Sequence, residues 1–178
     1  MPGNICTIVI ILINVIVFIM IRQGRLDVDD LMVSYHEVYN LREPKRILTA
    51  AFAHADPIHL MMNMLCLYDA GSYIERLFGH VFFLLIYFAS LIFGKLLALQ
   101  IRHSNHNDYL RSLGASGAIC GLIGCELLTY IHYFGFTISV LRSLLPLMLI
   151  SFMPGVDGTS HFSCMAVGMA ITYLRFLF

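Results

Sequence analysis

The chain is predicted to be an all-α polytopic membrane protein with six transmembrane helices in a single domain, residues 1–178. Three observations lead there. Hydrophobic residues make up 59% of the chain and charged ones only 12%, with a mean hydropathy of +0.81. A soluble domain of this size cannot bury so much apolar surface, so the bilayer must solvate most of it. The apolar residues also fall into runs near the roughly 20 residues that cross a bilayer as a helix. Polar or glycine-bearing segments divide these runs, with no repeat or low-complexity linker. Zero net charge and the lack of a basic block exclude nucleic acid as a partner. Cys6, Cys66, Cys120, Cys125 and Cys164 all lie in apolar runs without CxxC spacing, and read as small buried hydrophobes.

The first span, residues 4–21, is an almost unbroken Ile/Val/Leu/Phe run. No basic segment precedes it and no small-x-small cleavage site follows, so it reads as an anchor and not a signal peptide. Arg22 to Pro57 is too charged to span and too rich in Leu, Val, Tyr and Phe for a tether. A long loop of this kind is expected to carry short helices and to lie partly embedded in the membrane interface. Spans two and three, 58–78 and 81–101, are joined tightly at Gly79-His80. The polar loop Arg102–Leu113 leads into span four, 115–134. Span five, 137–153, is short, carries Arg142 and is broken by Met153-Pro154-Gly155. Span six covers 161–178.

Six crossings put the first turns of spans two, four and six on one membrane face. Those turns hold His59 and Asn63, then Ser116, then His161. Ser116 stands at a helix start, where backbone N–H groups lack intrahelical partners and form a ready oxyanion site. A serine hydroxyl needs a base to become a nucleophile, and His161 is the one available. Asp157 lies in the loop outside the span, so a Ser–His dyad fits better than a triad. His59 and Asn63, four apart on one helical face, can both donate to a developing oxyanion. Singly, such residues usually bond their own helix or bridge to another. Four on one face of a membrane point to function, because intramembrane polar groups are costly. Small-xxx-small spacing at Gly117/Gly121 and Cys164/Gly168 lets spans four and six approach closely. Asp69, some ten residues along span two from His59, has Lys95 and Arg142 as conceivable partners and reads as a structural bridge.

From about Arg46 to Tyr173 the chain resembles the rhomboid intramembrane serine proteases. The resemblance rests on HLMMN (His59 to Asn63), IERLFG (Ile74 to Gly79), GASG (Gly114 to Gly117) and HFSCMAVG (His161 to Gly168). It implies a compact six-helix bundle with a lateral, partly embedded loop between helices 1 and 2. It makes Ser116 the nucleophile and His161 its general base, with Asn63, His59 and the Ser116 N–H forming the oxyanion hole. Glu75, Arg76 and Gly79 match a structural motif of the family. Arg46 matches the arginine of a Trp-Arg pair, with Lys45 in place of the tryptophan. Cys120 stands where rhomboids carry an aromatic residue stacked on the histidine, so something else must orient His161. Cys164 replaces a glycine where spans four and six approach, which is expected to loosen that contact. Proline, common before the serine position in inactive relatives, is absent, since Ala115 stands there.

The implied activity is endopeptidase cleavage of transmembrane helices in membrane-protein substrates, within the lipid bilayer and with no cofactor or metal. Two other readings compete: a catalytically inactive rhomboid-like protein that binds membrane clients, and a small channel or transporter. The last is disfavoured because no inverted repeat is visible and the polar residues do not cluster at the midplane. The family places both termini in the cytosol and the catalytic face opposite. Arg22, Arg25, Arg42, Lys45, Arg46, Arg102 and Arg111 fall on that opposite face, so the positive-inside rule would invert the protein. The family orientation is preferred, because a loop that folds on the surface is not a simple flanking charge signal. The run RILTAAFAHADPIHLMMNM looks nearer to eukaryotic secretory-pathway rhomboids, favouring the endoplasmic reticulum or another secretory-pathway membrane.

Overall fold

The computed structural model describes residues 3–138, 151 and 155–178, and among these every regular element is helical. The apolar first run forms helix α1, Ile5–Arg22. The long segment after it is not a tether. It carries a short helix α2 (Val28–Leu31), a π-helical turn at His36–Asn40, and helix α3 (Arg46–Thr49), which tightens into a 3₁₀ turn at Ala50–Phe52.

Pro57 opens α4, Pro57–Cys66, where its missing N–H costs nothing, and the Asp56 side chain accepts the His59 N–H to cap it. A π-helical turn at Leu67–Gly71 joins α4 to α5, Ser72–Phe78. Gly79, at φ +86°, ends α5 and starts α6, His80–Ala89. A third π turn, Ser90–Gly94, leads into α7, Lys95–Ser104. Helix α8 spans Ser116–Phe134 and helix α9 spans Gly158–Leu177. The two later π turns, Leu67–Gly71 and Ser90–Gly94, each end on a glycine pressed against another helix. A Cβ on Gly71 would lie 3.1 Å from Thr7, and one on Gly94 would lie 2.5 Å from the Cys164 Cα. Such π turns add a residue to a helix locally and recur at tightly packed or functional positions.

Three of these helical stretches are long and apolar enough to cross a membrane by length and composition: Ile5–Arg22, His80–Ser104 and Ser116–Phe134. The stretch formed by α4 and α5 carries Asp69, Glu75 and Arg76, and α9 opens on a polar turn, so neither joins this set. The fifth expected span, with Arg142 and the Met153-Pro154 break, falls almost wholly outside the described residues.

The main core gathers Leu67, Ile74, Phe83, Ile86, Tyr87, Leu91, Ala118 and Leu122 from α4 through α8, with Ile10 from α1. A second cluster of Val33, Val38, Ile47, Ala50 and Leu99 seats the long loop on α7. Glu75, fully buried, ties α1 in place. Its carboxylate accepts the Cys6 and Thr7 backbone N–H groups at 2.8 Å each, the Thr7 hydroxyl at 2.6 Å, and faces His80 Nδ1 at 2.5 Å. A negative group at a helix N-terminus satisfies orphan donors and meets the positive end of the dipole. Cys120, Cys125 and Cys164 are buried as expected, whereas Cys66 is exposed on the outer side of α4, a face that suits an apolar solvent. All five thiols are free.

Candidate active site

Ser116 opens α8. No side chain among the described residues caps this helix start, while aspartates cap α4 and α9. Uncapped first-turn N–H groups beside a hydroxyl form a site for negative charge. The turn before it needs Gly114 at φ +110°, and the Gly114 N–H is held at 2.8 Å by the Ala50 carbonyl of the long loop. A Cβ at Gly114 would sit 2.9 Å from the His59 ring and 3.6 Å from Asn63 Nδ2, so both side chains lie directly against the approach to Ser116.

Helix α9 supplies His161, buried in its first turn. His161 Nε2 lies 2.9 Å from Ser116 Oγ, a contact between residues 45 apart in sequence. The two helices meet through small residues: a side chain on Gly168 would strike the Gly121 carbonyl, one on Gly124 the Met165 carbonyl, and one on Gly117 would meet Cys164 Sγ at 3.1 Å. Cys164 therefore does not hold the helices apart. Its Sγ fits between two glycines, since a Cβ on Gly94 would lie 2.6 Å from it and one on Gly117 3.1 Å.

The ring nitrogen of His161 that faces away from Ser116 has a partner that sequence reasoning missed. Ser151 Oγ, buried, lies 2.9 Å from His161 Nδ1. With Nδ1–H donating to Ser151, Nε2 carries the lone pair toward Ser116, the tautomer a general base requires. Ser151 thus holds the His161 ring from the side away from Ser116. Nothing in the spacing announces it, because the contact is made only by tertiary structure.

His54 was also missed, although it stands five residues before His59 in the same run. It is fully buried, its Nε2 lies 3.1 Å from Asn63 Nδ2, and its ring meets His59 edge-on at 5.0 Å. Burial, reinforced by the neighbouring His59, pushes the His54 imidazole down to about 4, so it is neutral and accepts from the Asn63 amide. That bond orients Asn63 and leaves its second amide N–H for another acceptor.

Lys95 does not bridge to Asp69. It turns to Asp157 at 3.0 Å, in a buried network that also takes in Arg102, Ser112 and Ser160. Asp157 is the nearest acid in sequence to His161, and it is bound to these cations and to the Ser160 N–H. Burial alone would raise its carboxyl, but Lys95, Arg102 and Ser160 hold it well below the usual carboxylate range. Asp69 is exposed along a cleft of about 450 Å³ that it shares with Tyr68, Ser72, Tyr73 and Arg76. Arg142 lies outside the described residues. One group of side chains, Cys6, Glu75 and His80, holds metal-capable atoms within 4.8 Å of one another. It sits at the far end of α4–α5 from His59, and the hydrogen bonds to Glu75 already account for its arrangement.

Residues 41–178 match the family model described as the rhomboid domain. The chain is 31% identical over 160 residues to RHOMBOID-like protein 1 of Arabidopsis thaliana, covering 86% of this chain and 38% of that protein. It is 32% identical over 150 residues to the Arabidopsis RHOMBOID-like protein 6, mitochondrial, covering 80% and 47%. Over 82 residues, 46% of this chain and 15% of the relative, it is 39% identical to rhomboid protease GluP of Bacillus subtilis (strain 168). The chain thus spans less than half the length of these curated relatives.

Proposed function

Because the chain belongs to the rhomboid family, an integral membrane family, we propose that it is an intramembrane serine endopeptidase cutting transmembrane helices of membrane-protein substrates. In this reading the chain crosses the bilayer six times, Ser116 is the nucleophile and His161 the general base.

The chemistry follows from the donors and acceptors at hand. His161 Nε2 takes the Ser116 proton as Oγ attacks the scissile carbonyl, and Nδ1–H stays on Ser151. The tetrahedral oxyanion is received by the bare N–H groups at the start of α8, by Asn63 and by His59. His161 then protonates the leaving amine, and the acyl-enzyme is released when water attacks with His161 again as base. The substrate helix must unwind locally to present its carbonyl, so helix-weakening small residues are expected near the cut. A bilayer substrate enters from the side, and water reaches the dyad from the loop side.

The observation that carries this reading is the 2.9 Å contact between Ser116 Oγ and His161 Nε2 beside an uncapped helix start. It also weighs against a family member that binds clients without cutting them, since a binding module needs neither feature. The expected location is the endoplasmic reticulum or another secretory-pathway membrane. The test is incubation of purified protein in detergent with a model transmembrane substrate, beside Ser116→Ala. Cleavage by the wild type alone supports the protease; the same result for both proteins, cleaved or intact, contradicts it.

A further inference from the structure

Lys95 is an ammonium buried in the middle of an apolar helical stretch, 7% exposed. An ammonium has three N–H donors, and here each has an acceptor: Ser112 Oγ at 3.2 Å, Asp157 Oδ2 at 3.0 Å and Ser160 Oγ at 2.8 Å. The acceptors come from two places. Ser112 lies in the loop that runs through Gly114 into Ser116. Asp157 and Ser160 form the cap and first turn of α9, and Ser160 immediately precedes His161. One side chain on α7 therefore holds both segments that deliver the dyad.

Arg102, on the same helix, pairs with the same aspartate and bonds the Leu110 carbonyl at 3.0 Å and Ser112 Oγ at 3.5 Å. The network thus holds two cations for one carboxylate. For stability alone one cation suffices, because a buried ion pair seldom repays its desolvation and a surplus charge only adds to the cost. The surplus cation is the one whose three bonds converge on the approaches to Ser116 and His161.

We propose that Lys95 is a positioning residue that sets the distance and alignment between Ser116 and His161 by binding Ser112 on one side and Asp157 with Ser160 on the other. This rests on the protease reading above and names a part of the site not supplied by Ser116, His161, His59 or Asn63. The composition of the network makes the test clean. Removing Lys95 leaves the Arg102–Asp157 pair neutral and intact, so Lys95→Met keeps the volume without stranding a buried charge. Removing Asp157 would strand two cations.

The experiment uses the full chain in detergent with two readouts: cleavage of a model transmembrane substrate, and the labelling rate of Ser116 by a fluorophosphonate, which phosphonylates a nucleophilic serine with loss of fluoride and needs no substrate. Rates are taken per folded molecule, with thermal unfolding measured alongside. A misplacement on the order of 1 Å costs about 100-fold in rate, so Lys95→Met is expected to lower kcat and the labelling rate by roughly 10- to 100-fold with KM within about twofold. Lys95→Arg, which keeps the charge and several donors, is expected to fall between Lys95→Met and the wild type. A variant with lower thermal stability but unchanged rates per folded molecule would make Lys95 merely structural and overturn the proposal. A wild-type protein that neither cleaves nor labels would overturn the protease reading itself.

Discussion

At the residue scale, the site is built from groups whose protonation and direction are fixed by neighbours. Gly114 shows how little room remains. At φ +110° a side chain is strained, and its Cβ would meet the His59 ring at 2.9 Å. Gly114→Ala is expected to lower kcat by about 100-fold while leaving the fold's thermal transition within a few degrees, as read by cleavage and unfolding assays on one preparation. His54 gives a pH signature. Its folded value near 4 lies below the ordinary 6.5, so the folded state prefers it neutral. The stability it contributes is complete above about pH 6.5 and is lost as pH falls toward 4. Thermal unfolding across that window should fall with acid, and His54→Gln should reduce that slope by up to about one proton. An unchanged slope would remove His54 from the account. Ser116, His161, His59 and Asn63 are named from the sequence because a six-crossing reading puts them on one face, and the structure brings Ser116 and His161 within 2.9 Å. Ser151 and His54 are not, since each acts through a contact that only packing creates. The same limit left the partner of Asp69 open between Lys95 and Arg142, and the fold pairs Lys95 with Asp157 instead.

At the element scale, α8 and α9 carry Ser116 and His161 and touch through backbone. The small-residue spacing was readable, and the structure sets Gly168 against Gly121 and Gly124 against Met165. Gly168→Leu must push the helices apart. Overpacking of this kind costs about 1–3 kcal/mol, and here it also widens the gap between Ser116 and His161. The expected result is a lowered unfolding temperature with loss of cleavage, whereas the same change at exposed Gly3, where a Cβ would make only an ordinary contact at 3.7 Å, should leave both unaltered. Helix ends were nearly legible from hydropathy, because polar caps such as Asp56 and Asp157 mark them. The π turns at Leu67–Gly71 and Ser90–Gly94 were not, since a one-residue widening leaves no trace in an apolar run and is set by the neighbour pressed against the glycine.

At the scale of the whole molecule, three of the seven loop-face cations are taken up by the fold, which narrows the disagreement between charge counting and family orientation. Arg46 is buried against Glu43 and the Asp29 and Met32 carbonyls, Arg102 is paired with Asp157, and Arg111 binds Glu37 at 2.8 Å. Cations consumed by the fold are poor flanking signals for insertion, which responds to free charge near the ends of spans. Glycosylation tags are expected to be modified in the loop between Arg102 and Leu113 and unmodified at the N-terminus. The opposite pattern would invert the protein.

The central claim is that Ser116 and His161 act as one catalytic unit. The most direct measurement is the cleavage rate of a model transmembrane substrate by the wild type, Ser116→Ala, His161→Ala and the double variant, with products identified by mass. Residues that act as a unit are strongly non-additive, so each single variant should abolish cleavage and the double should be no worse than either. Cleavage by Ser116→Ala at the wild-type rate, or losses that multiply in the double variant, would contradict the account.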